Sequence, residues 1–270
     1  LYMHGMIESP TAEVHTAFQN ALNKSLDIQN KIYNLLLLHV RICFLFRIFV
    51  VYSHYKSKIN NSHKRSSKGF FIKRMPFTEE LRDLTLAHFA HTPTKCQFFA
   101  ICKWTEFMLS RESDALFLLR GYAGTGKTSL VAAMVQTLKQ LEQPVVLLAP
   151  TGRAAKVFSS YSEMPAYTIH KKVYRQKTLT DPGLFQSNVN LHKGTTFIVD
   201  EASMISNMGN DGAVSFGTGR LLDDLIHYVY SCEGCRLMLV GDTAQLPPVG
   251  TDESPALDPN ILTGYGLQVY

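Results

Sequence analysis

The chain has 270 residues, 46% hydrophobic and 18% charged, a composition that describes a packed globular protein and excludes a disordered tail. Its net charge of +5 is unevenly placed: residues 1–74 carry 11 Lys/Arg against 3 Asp/Glu, and residues 75–270 carry 16 against 19. The larger part is mildly acidic, so global charge gives no argument for nucleic-acid binding, and any such case rests on local residues.

The most apolar stretch comes first, NLLLLHVRICFLFRIFVVY at 34–52. Its 19 residues are just long enough to span a bilayer, but His39, Arg41 and Arg47 lie inside it, and a mid-membrane arginine is costly. No small-residue cleavage site follows, as a signal peptide would require; a polar, basic, linker-like run follows instead, SHYKSKINNSHKRSSKG. Three readings compete: a membrane anchor, an interfacial or partner-binding amphipathic helix, and an upstream extension foreign to the domain. The arginines weigh against the first. The chain begins with Leu1, and Met75 opens a segment of different character, so residues 1–74 are expected to be an atypical extension and 75–270 the folded domain. MPFTEELRDLTLAHFA carries a helix-start signal in Pro76, Thr78 and the acids behind them.

A short apolar run, ALFLLR (115–120), predicts a buried strand. GYAGTGKT follows, and SLVAAMVQTLKQL then reads as a helix. Strand, glycine loop and helix form the context of a phosphate-binding loop. Glycines 121, 124 and 126 let backbone N–H groups turn inward around phosphates, and the helix N-terminus favours negative charge. Thr125 is part of the same loop. Lys127 would reach the β- and γ-phosphates of ATP, and Thr128 would ligate Mg²⁺.

TTFIVDEASMI (195–205) is a second apolar strand, ending in Asp200-Glu201. An acid at a strand's carboxyl end faces the crevice where ligands bind in α/β sheets. Asp200 would hold Mg²⁺ through water, and Glu201 would orient or deprotonate the attacking water. RLMLVGD (236–242) is a third strand leading into TAQLPPVG, where Gln245 could sense the γ-phosphate; alone, this stretch reads equally as a Pro-braced turn. There are five cysteines, and an odd, irregular set fits free thiols in a reducing, cytoplasmic setting. Cys232 and Cys235 form one CxxC, without a second half-site for zinc.

Taken in order, GYAGTGKT, LLAPTGRAAKV (147–157), TIHK (168–171), IVDEASMI and LVGDTAQLPPVG resemble the motor motifs of superfamily 1 DNA helicases, most closely the RecD-like branch, over roughly residues 75–270. The resemblance implies an α/β, RecA-like P-loop NTPase domain with a parallel sheet sandwiched by helices, here expected to use strands near 115–120, 145–150, 196–200 and 236–241. It implies ATP and Mg²⁺ as cofactors and single-stranded DNA, held without sequence reading, as partner. Gln97, in PTKCQFFAI, matches the position that recognises adenine; Thr151 and Arg153, and then Thr168 and His170, match the motifs that touch the DNA backbone. Hydroxyls, backbone N–H groups and an arginine suit such contacts. Residues 171–195 contain turn signals, are made locally basic by Lys171, Lys172, Arg175 and Lys177, and resemble the small hairpin insertion of these helicases, although a plain surface loop reads as well. NMGNDGAVSFGTG (207–219) reads as a glycine-rich loop and RLLDDLIHYVYS (220–231) as a helix.

Such helicases place ATP between two motor domains, the second supplying arginines. The chain ends at Tyr270, soon after Gln245, so the expectation is the first motor domain of a truncated or split helicase, missing its second. Two alternatives stay open: a relaxase-type or DNA-repair ATPase with the same motor, and a P-loop kinase or signalling ATPase, which leaves APTGRAA and TIHK without a role.

Overall fold

The computed structural model describes residues 77–176, 184–209, 215–245, 247–248 and 253–270, together with Asn23, Lys24 and Lys31. The chain divides into two units, Leu1–Phe46 and Arg47–Tyr270, and all elements below belong to the second. The apolar run 34–52, the basic stretch after it, the boundary expected at residue 74 and the Asp181-Pro182-Gly183 turn lie outside the described residues. Among the described residues no helix is long and apolar enough to cross a membrane.

Two helices lead in. α1 covers Phe77–His88 and α2 covers Lys95–Leu109. α2 starts at a reciprocal cap: the Gln97 backbone N–H donates to Thr94 Oγ1, and the Gln97 side-chain oxygen accepts from the Thr94 backbone N–H. There follow β1 (Ala115–Arg120), α3 (Lys127–Gln140), β2 (Val145–Ala149), α4 (Gly152–Ser162), β3 (Ala166–Thr168), α5 (Ile169–Val173), β4 (Tyr174–Gln176) and β5 (Leu184–Ser187). The rest comprises β6 (Thr196–Val199), a 3₁₀ turn (Ala202–Met204), β7 (Ser215–Phe216), α6 (Leu221–Tyr230), β8 (Arg236–Gly241), a second 3₁₀ turn (Pro255–Leu257), α7 (Pro259–Gly264) and β9 (Gln268–Val269).

Six strands form one sheet in the order β3-β2-β6-β8-β1-β9, and every pairing in it is parallel. The four expected strands are its centre. β3 and β9 extend its edges with three and two residues, too short to carry a hydrophobic pattern of their own. A parallel sheet must be covered on both faces, and the strand residues divide accordingly. Leu116, Val146, Leu148, Phe197, Val199, Leu237 and Leu239 pack in one cluster with Leu222, Leu225, Ile226 and Val229 of α6. The alternate residues of β1 point the other way, where the Phe117 ring lies 5.6 Å from Phe107 of α2. Arg236 ties that helix to the sheet, donating to the carbonyls of Phe107 and Ser110 at 2.7 Å each.

A second, smaller sheet has the order β4-β5-β7. β4 and β5 pair antiparallel within the segment expected to hold a hairpin. The glycine-rich stretch expected to be a loop contributes β7, parallel to β5. Rings of Tyr174, Phe185 and Phe216 pack together here, Phe185 on Phe216 at 4.6 Å. Buried Asp224 of α6 anchors the layer, accepting from Tyr174 O–H at 2.7 Å, Thr218 N–H at 3.0 Å and Thr218 O–H at 2.9 Å. Asp224→Ala removes the acceptor for three donors and leaves a buried phenol unsatisfied. Urea titration should show a loss of about 3 kcal/mol in stability; an unchanged midpoint would mean the donors find water instead.

Candidate nucleotide site and adjoining basic face

Parallel pairing decides where the chemistry collects. β1, β8 and β6 lie side by side, with Arg120 opposite Gly241 and Val199 opposite Leu239. Their carboxyl ends therefore reach one edge of the sheet, and each hands on a motif: Gly121–Thr128 after β1, Asp242 onward after β8, and Asp200-Glu201 after β6. At a spacing of about 4.8 Å per strand, Asp200 stands about 10 Å from the loop strand, with Asp242 between.

The loop has the geometry its glycines allow. Gly124 and Gly126 take φ values of 76° and 84°, and Gly126 occupies the cap position of α3. The φ at Gly126 requires glycine, and a Cβ there would come 2.5 Å from Gln97 Nε2 and displace that side chain. Thr125 Oγ1 donates to the Tyr122 carbonyl at 2.8 Å, closing the loop on itself. Lys127 Nζ donates to the carbonyls of Gly121 and Tyr122 at 2.5 and 2.8 Å and lies 3.7 Å from Asp242 Oδ2. Thr128 is exposed at the first turn of α3. Gln97 Nε2 donates to the Thr125 carbonyl at 2.9 Å, so Gln97 both caps α2 and braces the loop. One of its side-chain N–H groups remains for a ligand.

On the neighbouring strands, Asp200 Oδ1 accepts from the Glu201 backbone N–H at 2.9 Å, and Asp200 Oδ2 accepts from the Tyr161 phenol at 2.6 Å. Burial above all, and then the charge of Asp200, hold that phenol protonated far above its ordinary range. Glu201 has a φ of 53°, a left-handed conformation that costs a non-glycine residue about 1–3 kcal/mol and concentrates at functional positions. Burial raises its carboxyl above the ordinary glutamate value; Asp200 adds to this and Arg153 opposes it. Gln245 Oε1 accepts from Ser203 O–H at 2.9 Å, which joins the motif after β8 to the turn after the acid pair. A cavity of about 540 Å³ opens beside these residues, lined by Arg120, Asp242, Thr243, Gln245 and Leu257 among others.

This donor set fits magnesium. Among the described residues no cluster of three His, Cys, Asp or Glu side chains could hold a metal alone. Mg²⁺ asks for less: a hydroxyl and a carboxylate suffice when phosphate oxygens and water complete its octahedron. Thr128 and Asp200 would hold it.

The residues expected to meet nucleic acid lie at the starts of α4 and α5. Thr151 caps α4, accepting from Ala154 N–H at 3.1 Å, and Thr168 caps α5, accepting from Lys171 N–H at 3.3 Å. Arg153 is exposed. His170 is the exception: its half-buried ring packs 5.1 Å from Phe216 and 5.7 Å from Tyr174, and burial lowers its pKa. Two adjoining grooves share Tyr167 and Lys171. One is lined by Gly152, Lys156 and Ser159, the other by Lys172, Arg175 and Asn188. Tyr167 is 39% exposed, with Lys171 and Lys172 at 5.8 and 5.7 Å from its ring centre. Sequence reading missed Tyr167, Asp242 and Tyr161. Asp242 carries the signal that found Asp200, an acid ending an apolar strand; Tyr161 carries none.

The family model described as AAA domain matches residues 107–256. Over 134 residues the chain is 31% identical to the ATP-dependent RecD2 DNA helicase of Deinococcus radiodurans, a match covering 50% of this chain and 16% of that protein. It is 28% identical over 176 residues to the uncharacterized protein R530 of Acanthamoeba polyphaga mimivirus, covering 56% of this chain and 33% of the relative. It is 30% identical over 160 residues to the uncharacterized protein MJ1519 of Methanocaldococcus jannaschii, covering 54% and 12%. The chain thus spans a third or less of the length of each of these relatives.

Proposed function

The chain belongs to the AAA domain family and has the RecA-like P-loop fold, and from that premise we propose that it is the first motor domain of a RecD-like DNA helicase, binding and hydrolysing Mg-ATP to step along single-stranded DNA. One observation carries the reading. Three neighbouring parallel strands deliver the phosphate loop, the Asp242–Lys127 contact and the Asp200-Glu201 pair to one sheet edge. The similarity to the Deinococcus DNA helicase supports the same direction.

In this reading the loop N–H groups and Lys127 cradle the phosphates, Gln97 meets the adenine, Thr128 and Asp200 hold the magnesium, Glu201 accepts a proton from the attacking water, and Gln245 senses the γ-phosphate. Bound magnesium would screen the charge building on the phosphate oxygens. A second motor domain, in the same protein or in a partner, would close the site with arginines. Thr151, Arg153, Thr168 and the rim at His170 would meet the strand. Tyr167 would stack a base between Lys171 and Lys172, a grip that reads no sequence.

Anisotropy of a labelled oligo-dT strand tests the nucleic-acid side. Tyr167→Ala should weaken binding about tenfold, in line with one lost stacking contact. Replacing Lys171 and Lys172 with alanine should flatten the dependence of log K on log salt by about 1.4. Both variants should bind ATP normally. ATP consumption that ignores single-stranded DNA and requires a small acceptor would move the assignment to a P-loop kinase.

A further inference from the structure

We infer that Tyr161 is a positioning residue for the Asp200 carboxylate, and that its phenol sets the affinity of the nucleotide site for magnesium. The inference rests on the nucleotide-site reading above and adds to it a residue 39 positions away from the acid it serves.

Asp200 has two carboxylate oxygens, and each accepts one hydrogen bond. The Glu201 backbone N–H takes Oδ1 and the Tyr161 phenol takes Oδ2. A carboxylate torsion is broad and two-fold when left alone; one donor on each oxygen fixes both its plane and its tilt. One lone-pair direction per oxygen remains for a magnesium-bound water. The phenol can supply this constraint because it is itself held. Its ring stacks on that of Phe158, three residues earlier on α4, at 5.1 Å and 26°, and Phe158 is fully buried. The next residue, Ser162, is pinned twice. Its hydroxyl donates to the Phe158 carbonyl at 2.6 Å, and its own carbonyl accepts from Gln136 Nε2 at 3.0 Å. Gln136 belongs to α3, the helix that opens with Lys127 and Thr128. The hydroxyl donor and the carboxylate donor expected to share one magnesium are therefore registered through a single helix pair, α3 against α4. The phenol donates directly to a carboxylate oxygen at 2.6 Å. A charge-assisted bond of this kind is stronger than a neutral one, and partners that orient a metal-holding carboxylate are worth 10- to 100-fold in metal affinity.

The test uses Tyr161→Phe, which deletes the hydroxyl and keeps the stacked ring. Binding of a fluorescent ATP analogue is titrated against Mg²⁺ for both proteins, and repeated in EDTA. The expected result is a magnesium midpoint about tenfold higher in the variant, with metal-free nucleotide affinity and thermal midpoint unchanged within twofold and a few degrees. A variant midpoint equal to or below that of the wild type overturns the inference, and leaves the nucleotide site standing. Equal losses with and without magnesium would mean the hydroxyl supports the fold alone, and overturn it too. A wild-type chain whose nucleotide binding ignores magnesium overturns this inference together with the reading beneath it.

Discussion

Lys127→Ala should abolish ATP hydrolysis, with a loss of at least about 10² in rate, and should weaken Mg-ATP binding about tenfold or more. The magnitude follows from what the side chain does. Its ammonium stands at the mouth of the loop, on the Gly121 and Tyr122 carbonyls and 3.7 Å from buried Asp242, and has only to swing from those carbonyls onto the phosphates when a triphosphate arrives. A fixed cationic donor aimed at developing phosphate charge is worth about 10²–10³ in rate. Alanine leaves the φ values of the loop, the Thr125 closure and the Gln97 brace untouched, so the protein should stay folded. Isothermal titration with a slowly hydrolysed analogue and a phosphate-release assay separate the two effects. Unchanged binding would place the nucleotide elsewhere.

Glu201→Gln should have the second largest effect, and of a different kind. Hydrolysis should fall about 10²–10⁴-fold, the range for a lost general base, while Mg-ATP affinity stays within about threefold. Glutamine keeps the length and hydrogen-bonding shape of the side chain but cannot accept a proton from water. The backbone at Glu201 is held left-handed by the 3₁₀ turn that follows, with Met204 N–H donating to the Glu201 carbonyl at 3.2 Å. That strain aims the side chain and is independent of its terminal atoms. Losing binding and turnover together would instead mark Glu201 as a structural or metal-holding group.

Much of the site was legible because its signals are contiguous. GYAGTGKT contains loop, cap and lysine within eight residues, and an acid ending a buried strand needs only the strand to be recognised. The four central strands and α6 carry long apolar patterns and appear within a residue or two of their expected bounds. What the sequence could not yield depends on strand order. Lys127 and Asp242 meet because β8 lies beside β1, and nothing in the intervening sequence says so. Tyr161 reaches Asp200 for a related reason: α4 packs on β2 and β3, its own sequence neighbours, and β6, which carries Asp200, pairs with β2 across more than 40 residues of sequence. β3, β7 and β9 have too few residues for a period, and β7 hides in a glycine-rich stretch because its partner, not its composition, makes it a strand. His170 shows the opposite limit. Its motif context suggested a group that meets nucleic acid; its half-buried ring also packs into the aromatic layer over β4 and β7, beside Tyr174 one turn on and Phe216 far downstream.

The central claim is convergence: lysine, hydroxyl and acid pair around one Mg-triphosphate. A crystal structure with magnesium and a non-hydrolysable ATP analogue measures it directly. The account predicts Lys127 Nζ withdrawn from the Gly121 and Tyr122 carbonyls onto the β- and γ-phosphates, with Thr128 and a water held by Asp200 on the metal. A triphosphate bound away from the β1–β8–β6 edge, with Lys127 still on its loop carbonyls, would contradict it.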